Sequence, residues 1–388
     1  MHDEQPSVLI LSDHLGYPDG VMHGVTTYYL HVLPALVKSG VRLHTCFLRE
    51  PHPAAAVLNA SGIETLFLSA GKWNFFVALE VAALVRKHRI QIVHAAGLKA
   101  TLIGRVAARL AGASVIVHAH DLLYPDPAVG ILQRMFARSS DLGIGVSHAV
   151  LEVLEKGYYI DPQRSHVVHN GIPLDHVRNV SADARSRIRA QLGIAEHCGV
   201  IAMIARMHPI KGHASMLRIM ARVVKSSPDL VLMLAGDGPE REACEAQTTQ
   251  LGLQRNVRFL GVRNDVPELL VASDVVVVPS QSEGLSLVAI EAAAAGRPVV
   301  GFDAGGLRDV ITDGASGRLI EPGDEETFAA ALLDLFADPE KRARFGSRAL
   351  AGVEHFSLQN HIRNLLECYR DVLGHKSTPL PVHVTSGG

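Results

Sequence analysis

Four charged residues stand out by type and spacing. Glu283 and Glu291 flank a turn and a helical pattern in Pro279-Ser-Gln-Ser-Glu-Gly-Leu-Ser-Leu-Val-Ala-Ile-Glu291. Free backbone N–H groups at that helix start suit a phosphate, and Gly284 lets a ligand come close. A carboxylate at 291, among Ala289 and Ala292 to Ala295, needs hydrogen-bond donors, and a ribose diol carries two. The plainer alternative is that Glu283 complements the helix dipole and Glu291 pairs with an arginine. Arg206 and Lys211 flank a turn with Pro209 and Gly212 in Ala205-Arg-Met-His-Pro-Ile-Lys-Gly212. A guanidinium fork and an ammonium at a strand end can clamp a diphosphate and neutralise its charge as it leaves. Two solvated loop cations are the other reading.

These residues need a frame to converge. The chain alternates short β-branched runs, turns and helical patterns, which implies parallel sheets covered by helices. Strands are expected at Val8–Ser12, Val41–Leu48, Ile63–Leu68, Gln91–His94, Val115–His118, Leu142–Val146 and Val167–His169 in the first half. The second half offers Val200–Ala205, Leu230–Ala235, Val257–Leu260, Val275–Pro279, Val299–Phe302 and Arg318–Ile320. Helical patterns include Thr26–Lys38, Phe75–His88, Thr101–Leu110, Leu217–Lys225 and Leu287–Ala295, and Leu358–Leu373 is amphipathic. The polar stretch Ile172–Gln191 breaks the rhythm and places an inter-domain connection at about residues 173–182. The expected division is 1–175, 176–355, a closing helix at 356–374 and a disordered tail at 375–388. Ligands of such sheets bind beyond the carboxyl ends of the strands, so two facing sheets would share one cleft.

The bulk numbers narrow the function. The 388 residues suffice for two cores, and 37 basic against 39 acidic residues argue against a general nucleic-acid binder. Cys46, Cys198, Cys244 and Cys368 are far apart, so neither a disulfide framework nor a structural metal site is expected. The polar start does not fit a signal peptide, and no apolar run reaches the ~20 residues of a bilayer span. A cytoplasmic location is expected, with peripheral contact at the membrane's inner face left open.

Taken together, Arg206 with Lys211-Gly212 and the Glu283–Glu291 pair resemble the retaining glycosyltransferase family 4, whose members have the two-domain GT-B fold. Ala235-Gly-Asp-Gly-Pro-Glu240, Val257-Arg-Phe-Leu-Gly-Val262, Gly305-Gly306 with Asp309, and Asn170-Gly171 match further family segments in order, so the resemblance covers nearly all of residues 6–370. It implies an α/β chain of GT-B type: two Rossmann-like doubly wound parallel-sheet domains facing across a cleft. It also implies roles. Arg206 and Lys211 would bind the donor pyrophosphate, and Glu291 the ribose. Glu283 would contact the donor sugar beside the backbone N–H groups of Gly284, Leu285, Ser286 and Leu287. The main chain near Val262 would touch the base. His120, in Val115-Ile-Val-His-Ala-His-Asp121, matches a cleft histidine that contacts the transferred sugar or its acceptor; a satisfied structural histidine is the alternative. Asp121 reads equally as an N-cap or a cleft carboxylate. Gly24 matches the second glycine of a pair, with His23 replacing the first, in a loop that also holds Asp19 and Gly20.

The activity so implied is transfer of a hexosyl unit, with retention, from a UDP- or GDP-sugar to an acceptor hydroxyl in polysaccharide, glycolipid or small glycoconjugate synthesis. The acceptor is a sugar, a lipid-linked sugar or a small molecule. No D-x-D-like cluster ends a strand, so no metal and no cofactor are expected. Rivals are a nucleotide-sugar epimerase on the same frame and a non-catalytic nucleotide-sugar-binding subunit. A nicotinamide dehydrogenase lacks its G-x-G-x-x-G. The stretch 81–120 carries Arg86, Lys87, Arg89, Lys99, Arg105 and Arg109 and no acid. It reads as a face for anionic lipid or a phosphorylated acceptor, or as solvated helix cations. Trp73-Asn-Phe-Phe76 reads as core or as an interfacial patch.

Overall fold

The computed structural model describes residues 5–16, 24–69, 71, 74 and 76–374. Among these described residues, thirteen strands form two sheets. The first contains β1 (Ser7–Ser12), β2 (Arg42–Phe47), β3 (Thr65–Phe67), β4 (Ile92–Ala96), β5 (Ser114–Ala119), β6 (Leu142–Gly145) and β7 (Ser165–Val167). Its order is β3-β2-β1-β4-β5-β6-β7. The second contains β8 (Val200–Ile204), β9 (Val231–Ala235), β10 (Val257–Gly261), β11 (Val275–Val278), β12 (Val299–Phe302) and β13 (Gly317–Ile320), in the order β10-β9-β8-β11-β12-β13. All pairs are parallel, as in β1 against β4 and β8 against β9.

Parallel strands covered by helices on both faces have no wet side, so their sequences run apolar without alternation. Val275–Val278 is four consecutive valines, all buried. Each order reverses once, between β1 and β4 and between β8 and β11. At such a reversal the flanking loops part and leave a crevice at the strands' carboxyl ends.

The structure departs from the expected elements at instructive places. The edge strand β7 lies two residues earlier than expected, because its register is set by β6 alone, with Gly143 opposite Ser165 and Gly145 opposite Val167. The helix expected from Thr101 begins at Leu98. Asp13, beyond β1, accepts the backbone N–H groups of Lys99 and Ala100 and so caps that helix from a distant part of the chain. Within the polar stretch, Ala184–Gln191 is helical. It buries Ala184 and Ile188 on one face, and Arg185 and Arg189 both pair with Asp274, distant along the chain, at 2.7 and 2.8 Å.

The chain passes between lobes twice. Ile172 donates to Phe356 and accepts from Leu358, so the outgoing and returning strands lie side by side. The final helix, Leu358–Val372, then places Ile362, Leu365, Cys368 and Tyr369 in the core beneath the first sheet.

Candidate active site in the inter-lobe cleft

Arg206 and Lys211 follow β8. Gly212 takes a left-handed φ of 77°, and a Cβ there would lie 2.0 Å from the carbonyl oxygen of Pro279. Only glycine permits this approach, which presses the Arg206–Lys211 loop against the end of β11. The result is an ion pair of 2.8 Å between Lys211 Nζ and Glu283 Oε1. Arg206, Lys211, Glu283, Leu285, Ser286, Leu287, Val262 and Glu291 all line one cleft of about 700 Å³, together with Gly24 from the opposite lobe.

The helix Leu287–Ala294 points its start into this cleft. Ser286 makes no side-chain cap there and no acid sits in the first turn, so the positive end of the helix is left uncancelled. The helix Gly24–Lys38 approaches from the other lobe, with Leu287 Cδ1 3.8 Å from where a Cβ on Gly24 would lie.

Glu291 takes no arginine partner. No hydrogen bond or ion pair reaches its carboxylate among the described residues, and burial raises its pKa to about 7. Arg297, six residues on, donates instead to the carbonyl of Val271. Glu291 is therefore a cleft carboxylate short of donors.

Two expected site residues sit elsewhere. Gly284 is not among the cleft-lining residues; a Cβ on it would lie 2.1 Å from the carbonyl oxygen of His120, so it sits where the two lobes press together. His120 meets the second lobe through that carbonyl. Its ring packs inward, 4.1 Å from the ring of His118 and 4.7 Å from that of Tyr28. Burial, then His94 and His361, holds its pKa down to about 3. Behind it, His94 Nε2 is 2.9 Å from His118 Nδ1, and His94 Nδ1 is 2.7 Å from the hydroxyl of Tyr369. Asp121 caps no helix: it accepts from Leu123 N, and Asp126 caps the helix Pro127–Phe136.

The basic-face reading needs correction at one residue. Arg105 is wholly buried, donating to Ser140, Gln133 and the carbonyl of Tyr158. Phe76 is 76% exposed, so it is not core. Asp19, Gly20, His23, Trp73 and Phe75 lie outside the described residues. Sequence reasoning passed over Thr27, His208, Asp237 and Arg263, which also line the cleft. The signal available for Asp237 and Arg263 was their place just beyond β9 and β10, where a second-lobe ligand must lie.

Comparison with known proteins gives the family and the fold. Residues 22–176 match the family described as Glycosyltransferase Family 4, and residues 184–351 match Glycosyl transferases group 1. A Corynebacterium kroppenstedtii protein named D-inositol 3-phosphate glycosyltransferase is 36% identical over 56% of this chain, and the match spans 50% of its own length. A Rhodococcus erythropolis protein of the same name is 29% identical over 95% of this chain and 92% of its own. The chain thus spans about half the length of the first of these relatives. The Anabaena protein HepE, solved with UDP, superposes with a TM-score of 0.83 at 23% identity, over 94% of this chain and all of its own. That likeness fixes the architecture as the two-lobed GT-B type. The chain belongs to the family 4, group 1 glycosyl transferases.

Proposed function

We propose that this chain moves a hexosyl unit from a nucleotide-diphosphate sugar, with retention and without a catalytic metal, to a hydroxyl of a small or glycoconjugate acceptor. One observation carries the reading: Arg206, Lys211 and the uncapped start of Leu287–Ala294 face a single cleft that also holds an unpartnered Glu291. Cations and helix amides around one point suit a diphosphate, and a carboxylate lacking donors suits a ribose diol.

In this mechanism the bond from the anomeric carbon to the diphosphate lengthens first. Arg206, Lys211 and the helix start take up the negative charge gathering on the leaving oxygens. Glu283, held by Lys211, borders the sugar. The acceptor hydroxyl attacks on the face the diphosphate leaves and passes its proton to a departing phosphate oxygen. No protein nucleophile is required.

Uracil is the favoured base, because the HepE structures carry UDP and UDP-glucose in the same fold. A polyol hydroxyl, inositol phosphate included, is the favoured acceptor, after the naming of the Corynebacterium and Rhodococcus relatives. No helix among the described residues is long and apolar enough to cross a membrane. With Arg105 withdrawn into the core, surface contact with lipid would rest on the other cations of 86–109 and on the exposed Leu110.

A thermal-shift panel of UDP, GDP and ADP with their sugars tests the donor, because a ligand bound only by the folded state raises the melting temperature. UDP-sugars are expected to raise it most; no shift with any nucleotide refutes the reading. Incubation with a UDP-sugar alone separates the epimerase rival, which converts the donor without an acceptor. Adding Mg²⁺ to the metal-stripped enzyme is expected to leave turnover unchanged.

A further inference from the structure

Outside the donor cleft, three ligand-type side chains from distant parts of the chain converge between the lobes. His148 opens the helix His148–Gly157, His169 follows β7, and Asp309 ends the 3₁₀ turn Gly305–Asp309 of the second lobe. His148 Nδ1 and His169 Nε2 each lie 2.8 Å from Asp309 Oδ2. The three donor atoms are all within 4.8 Å of one another. None of these residues lines the donor cleft.

Two imidazoles and one carboxylate form a donor set suited to a borderline divalent cation. A metal site also needs its ligands oriented from behind, and this one has that support. His169 Nδ1 is 2.9 Å from His355 Nε2, so the ring can keep its proton on the far nitrogen while Nε2 turns a lone pair inward. The backbone N–H of His148 donates to the same Asp309 Oδ2 at 3.0 Å, which ties the carboxylate to the start of that helix. The Asp309 side chain is 5% exposed and the His148 side chain 77%, giving a buried anchor and a solvent-facing ligand through which an ion can enter.

We propose that His148, His169 and Asp309 bind a divalent transition-metal ion of the zinc class, joining the two lobes, with the fourth position open to water. Bonds of about 2.0–2.2 Å in a tetrahedron set ligand atoms roughly 3.3 Å apart. The observed 2.8 Å separations therefore widen by about half an ångström, a movement the exposed His148 ring can make. On binding, each imidazole turns a lone pair rather than an N–H toward the ion, so the nitrogen facing Asp309 gives up its proton. Because two ligands belong to one lobe and one to the other, the ion favours the lobe arrangement described above. The ion takes no part in the transfer chemistry.

The test uses the untagged full chain, stripped by a chelator and dialysed. Zn²⁺ is titrated by calorimetry, and Co²⁺ by the visible bands of tetrahedral coordination. One site per chain of micromolar or tighter affinity is expected. His148→Ala removes an exposed side chain and is expected to weaken binding about 100-fold or more, as is Asp309→Asn. His197→Ala, an exposed histidine elsewhere, leaves the affinity unchanged. Zn²⁺ is also expected to raise the melting temperature of the unmodified chain but of neither ligand variant. Absence of saturable binding, or affinity in His148→Ala and Asp309→Asn equal to that of the unmodified chain, overturns the proposal. Binding of a UDP-sugar by the metal-stripped chain is measured separately, so failure here leaves the donor-site reading standing, and the reverse.

Discussion

The unpartnered carboxylate of Glu291 makes donor binding depend on pH in a calculable way. Burial raises its pKa from 4.5 to about 7, so ionising it in the folded chain costs about 3 kcal/mol more than in water. Donor hydroxyls offset that cost only when the carboxylate is charged. With a pKa of about 7, roughly one site in eleven is ionised at pH 6 and ten in eleven at pH 8, so affinity for the donor rises about tenfold over that interval, or ~1.4 kcal/mol. The sign for stability is opposite. A carboxyl whose folded pKa is raised destabilises the ligand-free chain as pH climbs from 4.5 through 7. The assay is calorimetric titration with a nucleotide-sugar, whose diester phosphates do not titrate in this range. Glu291→Gln is expected to bind more weakly than the unmodified chain at pH 8, and equally at pH 6 and pH 8. A tenfold rise that persists in the Gln variant, or no rise in the unmodified chain, refutes the role given to this residue.

Three further outcomes follow from the geometry. Arg206→Ala and Lys211→Ala should each lower kcat by about 100-fold or more, the scale of losing one charge-stabilising donor, in a steady-state transfer assay; near-normal turnover in both removes the leaving-group clamp. Gly284→Ala puts a methyl where the His120 carbonyl oxygen now sits 2.1 Å away. The lobes must part, so turnover should fall about 100-fold with a measurable increase in radius of gyration by small-angle scattering. Buried His94, His213 and His361 have pKa values held down to about 3, 4 and 4, chiefly by burial. Folded they stay neutral while the unfolded chain takes up protons, so their stability is complete above pH 6.5 and is lost as pH falls toward about 4. Near pH 5.5 each forfeits about 1.4 kcal/mol, which urea denaturation at pH 7.5 and 5.5 should register as a steep loss.

The legible parts of the chain were those whose physics is local. Val275–Val278 reads as a strand because a sheet buried on both faces needs no polar alternation. The turn after it reads as the approach to a helix, which the structure starts at Leu287, because Gly284 and an apolar helical pattern lie side by side in sequence. Long-range bonding left no such trace. Arg105 has the same sequence character as the exposed Arg109, yet Gln133, Ser140 and Tyr158, all distant along the chain, draw it inside. The start of Leu98–Ala111 depends on Asp13, and the inward turn of His120 depends on Tyr28, His118 and a helix that follows the second lobe. Likewise His148, His169 and Asp309 have no motif spacing, because only the meeting of two lobes makes them neighbours.

The final helix has a consequence for how the chain comes to be folded during synthesis. Ile362, Leu365, Cys368 and Tyr369 complete the core under the sheet that begins at Ser7. The ribosome therefore releases the second lobe's strands before the first lobe can be finished. Until residues 358–372 emerge, Tyr28, His94 and the floor beneath β1 and β4 lack their cover. The nascent first lobe must wait with an apolar surface open to water, the kind of surface that chaperones recognise.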